Sequence, residues 1–223
     1  MPEATARVRL GPLLCVFGAA LFLLMLLLSP VDLDLARSMH RPGNTFGRMV
    51  LLFGEWPGWI AVLLAALGLA LGRRRPRLRE YRPLFWSVIW LALIHPLLIT
   101  QGLKFGWGRV RPVDLSANGS DFTPFYRPAG PGAGESFPSG HVAMSVAGAP
   151  LPFFLWRRGR ARAAAVALSI LLAIAALVSL GRMVAGAHYL TDCLFSAGLA
   201  FLLAPALERH LSRAPPATRA GTV

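Results

Sequence analysis

Long apolar runs recur along this chain, and they constrain its fold more than any other feature of the sequence. We place six of them, at Gly11 to Ser29, Met49 to Leu71, Pro83 to Leu103, His141 to Trp156, Ala163 to Gly181 and Ala187 to Leu207. A run of about 18 or more apolar residues can cross a bilayer as a helix. Only 15% of the residues are charged, whereas soluble domains carry roughly 25%. We therefore predict an all-α, polytopic membrane protein with six transmembrane helices.

Polar segments at the two ends set the predicted domain boundaries. We expect a cytoplasmic N-terminus at residues 1–10, one six-helix membrane domain at 11–207, and a cytoplasmic tail at 208–223. The tail is basic and rich in Pro and Ala, a composition typical of disorder. No small-residue cleavage site follows the first apolar run, so we interpret that run as an uncleaved span and not as a signal peptide.

Basic residues are distributed unevenly between the two sides of this arrangement. Of the 23 basic residues, 15 lie on the side that holds both termini and 8 on the other. Because cytoplasmic loops are enriched in Lys and Arg, we place both termini in the cytoplasm and the loops at 30–48, 104–140 and 182–186 outside it. The net charge of +13 does not indicate nucleic-acid binding, since the arginines flank apolar spans and no nucleic-acid motif accompanies them.

Polar residues on the extracytoplasmic side concentrate where loops meet spans. They are Lys104 (the only lysine of the chain), Arg111, Ser139, Gly140, His141, Arg182, His188 and Asp192. Ser139 is a favourable helix N-cap, and Gly140 lets a ligand approach the backbone closely. A helix N-terminus beside three cations suits an anion, above all phosphate. We therefore predict a phosphate-binding site at these junctions.

His188 and Asp192 are the main candidates for catalysis. Four residues apart on a helix, they would share one face, and a carboxylate on one imidazole nitrogen leaves the other free to attack. A structural His–Asp pair fits the same spacing. Two histidines and a carboxylate can also bind iron or zinc, but the three neighbouring cations would repel a divalent ion. We expect no metal and no cofactor.

Three signatures occur in order in this region: Lys104-x6-Arg111-Pro112, Pro138-Ser139-Gly140-His141 and Arg182-x5-His188-x3-Asp192. With them, the chain resembles the type 2 phosphatidic acid phosphatase family, which belongs with bacterial acid phosphatases and vanadium haloperoxidases to one superfamily. The third signature usually begins Ser-Arg, and here it begins Gly181-Arg182. No charged group is lost by this change, so we expect activity to survive it.

The resemblance implies a role for each site residue. His188 would be the nucleophile that forms a phosphohistidine, Asp192 would orient it, and His141 would protonate the leaving alcohol and then activate water. The phosphate would be held by Lys104, Arg111, Ser139, Gly140 and Arg182. The catalytic motifs would thus span residues 104–192 of a bacterial inner-membrane protein, with the site on the extracytoplasmic side.

The substrate expected from the resemblance is a lipid phosphate. Hydrolysis would remove a phosphomonoester or pyrophosphate from phosphatidic acid, phosphatidylglycerol phosphate, undecaprenyl pyrophosphate or a lipid A type molecule, without a metal. A lipid-to-lipid phosphotransferase and a non-enzymatic lipid-phosphate transporter remain alternatives. The loop from Phe122 to Gly134 fits a headgroup-reading segment and a plain connector equally well. The position of Glu55 near tryptophans favours an interfacial side chain, and we leave His95 out of the site as a core histidine.

Overall fold

The computed structural model describes residues 10–213, so residues 1–9 and 214–223 of the predicted ends lie outside the described part of the chain. The described residues form helices, 3-10 turns and one π-helical segment, with no strand among them. The helices are α1 (Leu10–Leu28), α2 (Asp32–Met39), α3 (Thr45–Phe53), α4 (Trp56–Leu71), α5 (Pro76–Arg79), α6 (Arg82–Ala92), α7 (Thr100–Trp107), α8 (Gly140–Ser145), α9 (Pro150–Arg157), α10 (Ala161–Val184) and α11 (Leu190–Arg213). The all-α prediction is confirmed for this part of the chain.

Two clusters of polar contacts mark the opposite ends of the helix bundle. At one end, the basic end, Arg158 donates to Glu80 over 2.8 Å and Arg157 donates to Glu208 over 2.7 Å. At the other, the site end, α2, α8 and α11 begin and α7 and α10 terminate around one buried polar network. Along the chain, α4 follows closely on α3, α7 on α6 and α9 on α8, and each of these pairs is taken together as one helical run.

Five of these runs contain helical segments long and apolar enough to cross a membrane. They are Leu10–Met39, Thr45–Leu71, Arg82–Asp114, Ala161–Val184 and Leu190–Arg213. The apolar faces of these helices are widely exposed, as in a protein whose surface meets lipid. The chain is a membrane protein by this criterion.

The predicted fourth span differs from a single helix. Residues 141–156 fall in two short helices, α8 and α9, which a turn at 146–149 separates. Pro150 begins α9, and a proline has no N–H to continue the preceding helix. The prediction of a continuous helix from His141 to Trp156 is therefore wrong, because Gly148 and Pro150 interrupt it.

Three other segments have a helical structure that the sequence analysis did not predict. Pro96 lies within a π-helical segment, Leu93–Ile99, that connects α6 to α7 without a break in the run. The predicted polar loop at 30–48 is largely helical, since it contains α2 and the start of α3. The predicted disordered tail is wrong for residues 208–213, which continue α11 because Glu208 is buried and bonded to Arg157 and Ser212.

Candidate active site

His188 lies in the short connection between α10 and α11, buried at the site end. Its Nδ1 is 2.6 Å from the backbone carbonyl oxygen of Ser136 and 3.8 Å from Asp192 Oδ2. A carbonyl oxygen only accepts, so Nδ1 carries the proton and Nε2 keeps its lone pair. The nitrogen available for attack is therefore Nε2, and the Ser136 carbonyl assigns that tautomer.

Burial lowers the pKa of the His188 imidazole to about 4, and the nearby Asp192 carboxylate partly offsets this shift. At neutral pH the ring is uncharged, which is the state that a nucleophile requires. The predicted helical geometry for the pair is wrong in detail, because α11 begins at Leu190 and His188 precedes it. Asp192 reaches His188 from the first turn of that helix.

Asp192 is bound on several sides at once. Its carboxylate accepts from Ser136 Oγ (2.6 Å), from the backbone N–H of Tyr189 (2.9 Å) and from a terminal nitrogen of Arg109. Because Ser136 contacts Asp192 through its hydroxyl and His188 through its carbonyl, one residue fixes both members of the pair. Asp192 thus acts on His188 through this shared neighbour and through its charge at 3.8 Å.

Arg109 is the centre of the buried network, with no exposed surface. Its guanidinium donates to Asp32 (2.9 Å), to Asp192, to Thr191 Oγ1 (3.0 Å) and to the carbonyl of Thr123 (2.8 Å). The same group lies over the Tyr189 ring, 3.9 Å from its centroid. A buried charge is tolerated only when it is paired and hydrogen-bonded, and every nitrogen of Arg109 meets that condition.

Ser139 caps α8, as the sequence predicted. Its Oγ accepts from the backbone N–H of Val142, and its own N–H points to the Asp192 carbonyl. The second contact brings the start of α8 against the start of α11. A Cβ built on Gly140 would lie 3.9 Å from Lys104 Nζ, so the lysine ammonium stands beside the same turn.

The three predicted phosphate-binding cations gather around this turn. Lys104, Arg111 and Arg182 are close enough to repel one another. Among the described residues Arg111 forms one ion pair, with the exposed Glu135 at 3.1 Å, and none is formed by Lys104 or Arg182. Nε of Arg111 and Nε of Arg182 are buried with no hydrogen-bond partner in that part of the chain. Lys104 and Arg182 therefore stand near His188 without an ion pair in the described part of the chain.

His141 lies in the first turn of α8, and both of its ring nitrogens have neighbours. Nδ1 is 3.3 Å from Glu55 Oε1, and Nε2 is 3.1 Å from the carbonyl oxygen of Leu51. The interfacial interpretation of Glu55 is therefore incomplete, since its carboxylate faces a candidate catalytic histidine.

The geometry brings all eight predicted site residues to one end of the bundle, and the sequence comparisons agree with its chemistry. Residues 84–213, more than half of the chain, match the PAP2 superfamily. The chain belongs to the PAP2 superfamily. No curated protein and no solved structure gave a match.

Membership of the PAP2 superfamily supports a hydrolase that removes phosphate from phosphorylated substrates. The matched region covers every predicted site residue but omits α1 to α5. Two acidic groups of the site end, Asp32 and Glu55, come from that unmatched part. This chain thus completes the PAP2 region with side chains from its own N-terminal helices.

The departure from the PAP2 signature at Gly181 has a steric cause. A Cβ on Gly181 would collide with the Cβ and Cγ atoms of Val50 in α3. A serine at this position therefore has no room, because α3 and α10 approach closely there. The glycine places Arg182 by allowing that approach.

The loop between the first and second signatures is packed and not a plain connector. Phe125 is buried with Met25 and Phe137, and Phe122 packs against the Tyr189 ring. Thr123 supplies a carbonyl to Arg109. Tyr126 is 54% exposed, so it is the aromatic group of this loop that is free to meet a lipid headgroup.

Five residues of the site end were not predicted as site residues. They are Asp32, Glu55, Arg109, Ser136 and Thr191. A usable signal existed for the acids, because a carboxylate at the edge of an apolar run needs a partner. The first signature selects Arg111 as the site arginine, and no local pattern assigns Arg109 to the buried network.

Proposed function

We propose that the protein hydrolyses a phosphomonoester or pyrophosphate on a membrane lipid through a phosphohistidine at His188. The observation that carries this proposal is the 2.6 Å contact between His188 Nδ1 and the Ser136 carbonyl oxygen. With Nδ1 donating to the Ser136 carbonyl, the lone pair of Nε2 is available in a buried site beside three cations. Membership of the PAP2 superfamily supports the phosphatase class.

The reaction proceeds in two steps in this proposal. Nε2 of His188 attacks phosphorus while His141 protonates the departing lipid oxygen. Neutral His141 then takes a proton from water, which attacks the phosphohistidine and releases inorganic phosphate. Asp192 holds the buried pair and stabilises the charge that His188 gains.

The cations stabilise the transferring phosphoryl group, whose charge spreads over its equatorial oxygens. Nε–H groups of Arg111 and Arg182 are buried donors without protein partners among the described residues, and phosphate oxygens would satisfy them. Lys104 and the first N–H groups of α8, capped by Ser139, complete the binding set. Gly140 leaves space for this close approach.

The proposed topology has six membrane crossings, with both termini in the cytoplasm of a bacterial cell and the site outside it. The uneven distribution of arginine supports this orientation, and α8 with α9 would form the interrupted fourth crossing. A C-terminal alkaline phosphatase fusion should be inactive and a C-terminal fluorescent protein fusion should be bright. The opposite pair of results would invert the topology.

The decisive experiment measures phosphate release from four lipids: phosphatidic acid, phosphatidylglycerol phosphate, undecaprenyl pyrophosphate and lipid A 1-phosphate. Purified protein should release phosphate from at least one of them, and His188→Ala should reduce the rate at least about 10³-fold, as for loss of a nucleophile. His210→Ala is the matched control, since this exposed histidine lies in the last turn of α11. Phosphate release by His188→Ala at the unaltered rate would contradict the mechanism.

The chemistry is proposed to need no metal ion. Lys104, Arg111 and Arg182 supply the positive charge that a metal would otherwise bring. Activity should therefore persist in EDTA. Loss of activity in EDTA with recovery on addition of zinc would contradict the phosphohistidine mechanism.

A further inference from the structure

Glu55 stands at the junction of α3 and α4, where its carboxylate faces the site. One oxygen, Oε1, lies 3.3 Å from Nδ1 of His141, and the other accepts from the indole N–H of Trp59 at 3.3 Å. Trp59 is one turn along α4, so the helix that carries Glu55 also holds its carboxylate in place. From the sequence, we interpreted Glu55 as an interfacial side chain.

The second nitrogen of His141 is also engaged. Nε2 lies 3.1 Å from the carbonyl oxygen of Leu51, in the last turns of α3. A carbonyl oxygen and an ionised carboxylate only accept hydrogen bonds, so both contacts are hydrogen bonds only when each ring nitrogen carries a proton. The contacts therefore suit the imidazolium form, which is the form that a general acid requires.

The surroundings of His141 oppose its protonation, and Glu55 counteracts them. Burial disfavours a positive charge on the imidazole most, and Arg182 in α10 and Lys104 in α7 add to this effect, whereas the Leu51 carbonyl and Glu55 favour the charge. An opposite charge within about 4–6 Å stabilises the charged form of a group, and like charges do the reverse. Without Glu55, the proton donor would stand beside two cations with no carboxylate to offset them.

Close packing fixes the position of Glu55 relative to His141. A Cβ on Gly58, three residues after Glu55, would overlap the backbone carbonyl of Met144 in α8. The start of α4 and the short helix that carries His141 are therefore pressed together at a glycine. The ion pair lies at this contact, where the His141 side chain is 20% exposed and the Glu55 side chain is 36% exposed.

We infer that Glu55 is a positioning residue for His141, a role that rests on the proposed function. Glu55 retains the Nδ1 proton, so Nε2 is the nitrogen that exchanges a proton with the substrate, whose oxygen replaces the Leu51 carbonyl as its partner. When His188 bonds to phosphorus and the lipid oxygen leaves, the Nε2 proton passes to that oxygen and His141 becomes neutral. In the second step Nε2 takes a proton from the attacking water as the bond between phosphorus and His188 breaks, which restores the imidazolium.

This role depends on the leaving group, which makes it testable. A lipid alkoxide needs a proton to depart, whereas p-nitrophenolate departs without one. The test compares dioctanoyl phosphatidic acid with p-nitrophenyl phosphate, using Glu55→Gln in the full chain. We expect kcat on the lipid to fall by about 10–100-fold, part of the 10²–10⁴-fold that acid–base catalysis supplies, with KM nearly unchanged. The rate of the first-turnover burst of p-nitrophenol should fall less than threefold. After the burst, release of p-nitrophenol should continue at the lower rate that the second step sets.

Two controls separate positioning from a structural effect. Glu80→Gln removes an equivalent carboxylate at the basic end, where it pairs with Arg158, and should retain wild-type rates on both substrates. In a His141→Ala background, Glu55→Gln should cause no further loss, because the group through which it acts is gone. An equal loss on both substrates, a further loss in that background, or wild-type rates for Glu55→Gln would each overturn the inference.

The same panel distinguishes this inference from the function on which it rests. If His188→Ala is inactive while Glu55→Gln is unaffected, the role of Glu55 fails and the proposed function stands. If His188→Ala retains full activity, the phosphohistidine proposal itself fails. Thermal unfolding of each variant in detergent confirms that the rates refer to folded protein.

Discussion

Arg109 and Arg111 lie two residues apart, yet they belong to two regions with opposite electrostatics. Arg109 is fully buried and bonded to Asp32 and Asp192, so these two carboxylates neutralise its charge within the fold. Arg111 is one-third exposed, and its one partner is Glu135, a carboxylate that is itself 70% exposed. We call the region around Arg109, Asp32 and Asp192 the buried network. The region of Lys104, Arg111 and Arg182 is the open cationic face.

His188 lies between the two regions, and the difference explains how it is prepared. The buried network supplies negative charge and fixed acceptors, which hold Nδ1 and orient the ring. The open cationic face supplies positive charge with donors free for an anion. Under the proposed function, arginine therefore serves stability on one side of the histidine and substrate binding on the other. Four changes test this division.

The largest effect is expected for Arg109→Gln. Removal of this cation leaves Asp32 and Asp192 buried without a counter-ion, which costs about 3–5 kcal/mol of unfolding free energy. Thermal unfolding in detergent should show a markedly lower midpoint, with activity lost as a consequence of unfolding. A normal midpoint with selective loss of activity would show that Arg109 serves the reaction, as the residues of the open cationic face are proposed to do, and not the stability of the fold.

Arg111→Gln should show the opposite pattern. Loss of one preorganised donor to the transition state should lower kcat/KM by about 10²–10³-fold, while the unfolding midpoint stays near that of the wild type because exposed ion pairs contribute about 0–1 kcal/mol. Phosphate release and thermal unfolding measured on the same preparation check both parts. Arg158→Gln is the matched control, since its partner Glu80 is at the basic end. Substantial destabilisation by Arg111→Gln would show that Arg111 also stabilises the fold, which contradicts the contrast drawn between Arg109 and Arg111.

A smaller effect is expected from pH through His188. Its pKa is lowered to about 4 by burial, against about 6.5 in an unfolded chain. Between these values the unfolded state binds more protons than the folded state. The free energy of unfolding is therefore lowered by His188 as the pH falls from 6.5 towards 4, and it is not lowered in this way above pH 6.5. The unfolding midpoint of the wild type should therefore fall more steeply in this range than that of His188→Gln. Parallel profiles for the two proteins would show that His188 is not buried in the neutral state.

The smallest effect is expected for Gly181→Ser, which restores the usual residue of the signature. The added side chain collides with Val50, and overpacking of this kind costs about 1–3 kcal/mol. The charge of Arg182 remains, so the rate per folded molecule should stay within a few-fold of the wild type. The cost should shrink in a Val50→Ala background. An increase in stability from Gly181→Ser alone would refute the steric explanation.

Much of this protein was predictable from sequence because its signals are local. Long apolar runs require helices in a bilayer, since no water is present there to satisfy the backbone. Ser139 as an N-cap and Lys104, Arg182 and His188 at helix junctions follow from the order of residues, and the three signatures point to phosphate chemistry before any coordinates are considered. Gly148 and Pro150 also mark the interruption of the fourth run. The apolar composition of residues 141–156 nevertheless led to the prediction of a single helix.

Only the tertiary structure decided which polar groups are consumed by the fold and which remain available. Asp32 and Arg109 are 77 residues apart in sequence and 2.9 Å apart in space, and no local pattern reports such a contact. The same holds for Glu55 and His141, and for the Ser136 carbonyl that sets the tautomer of His188. Sequence determined the residue types at the site end, because chemistry and helix formation depend on near neighbours. Packing of distant helices determined their roles, because the state of a buried charge depends on every group around it.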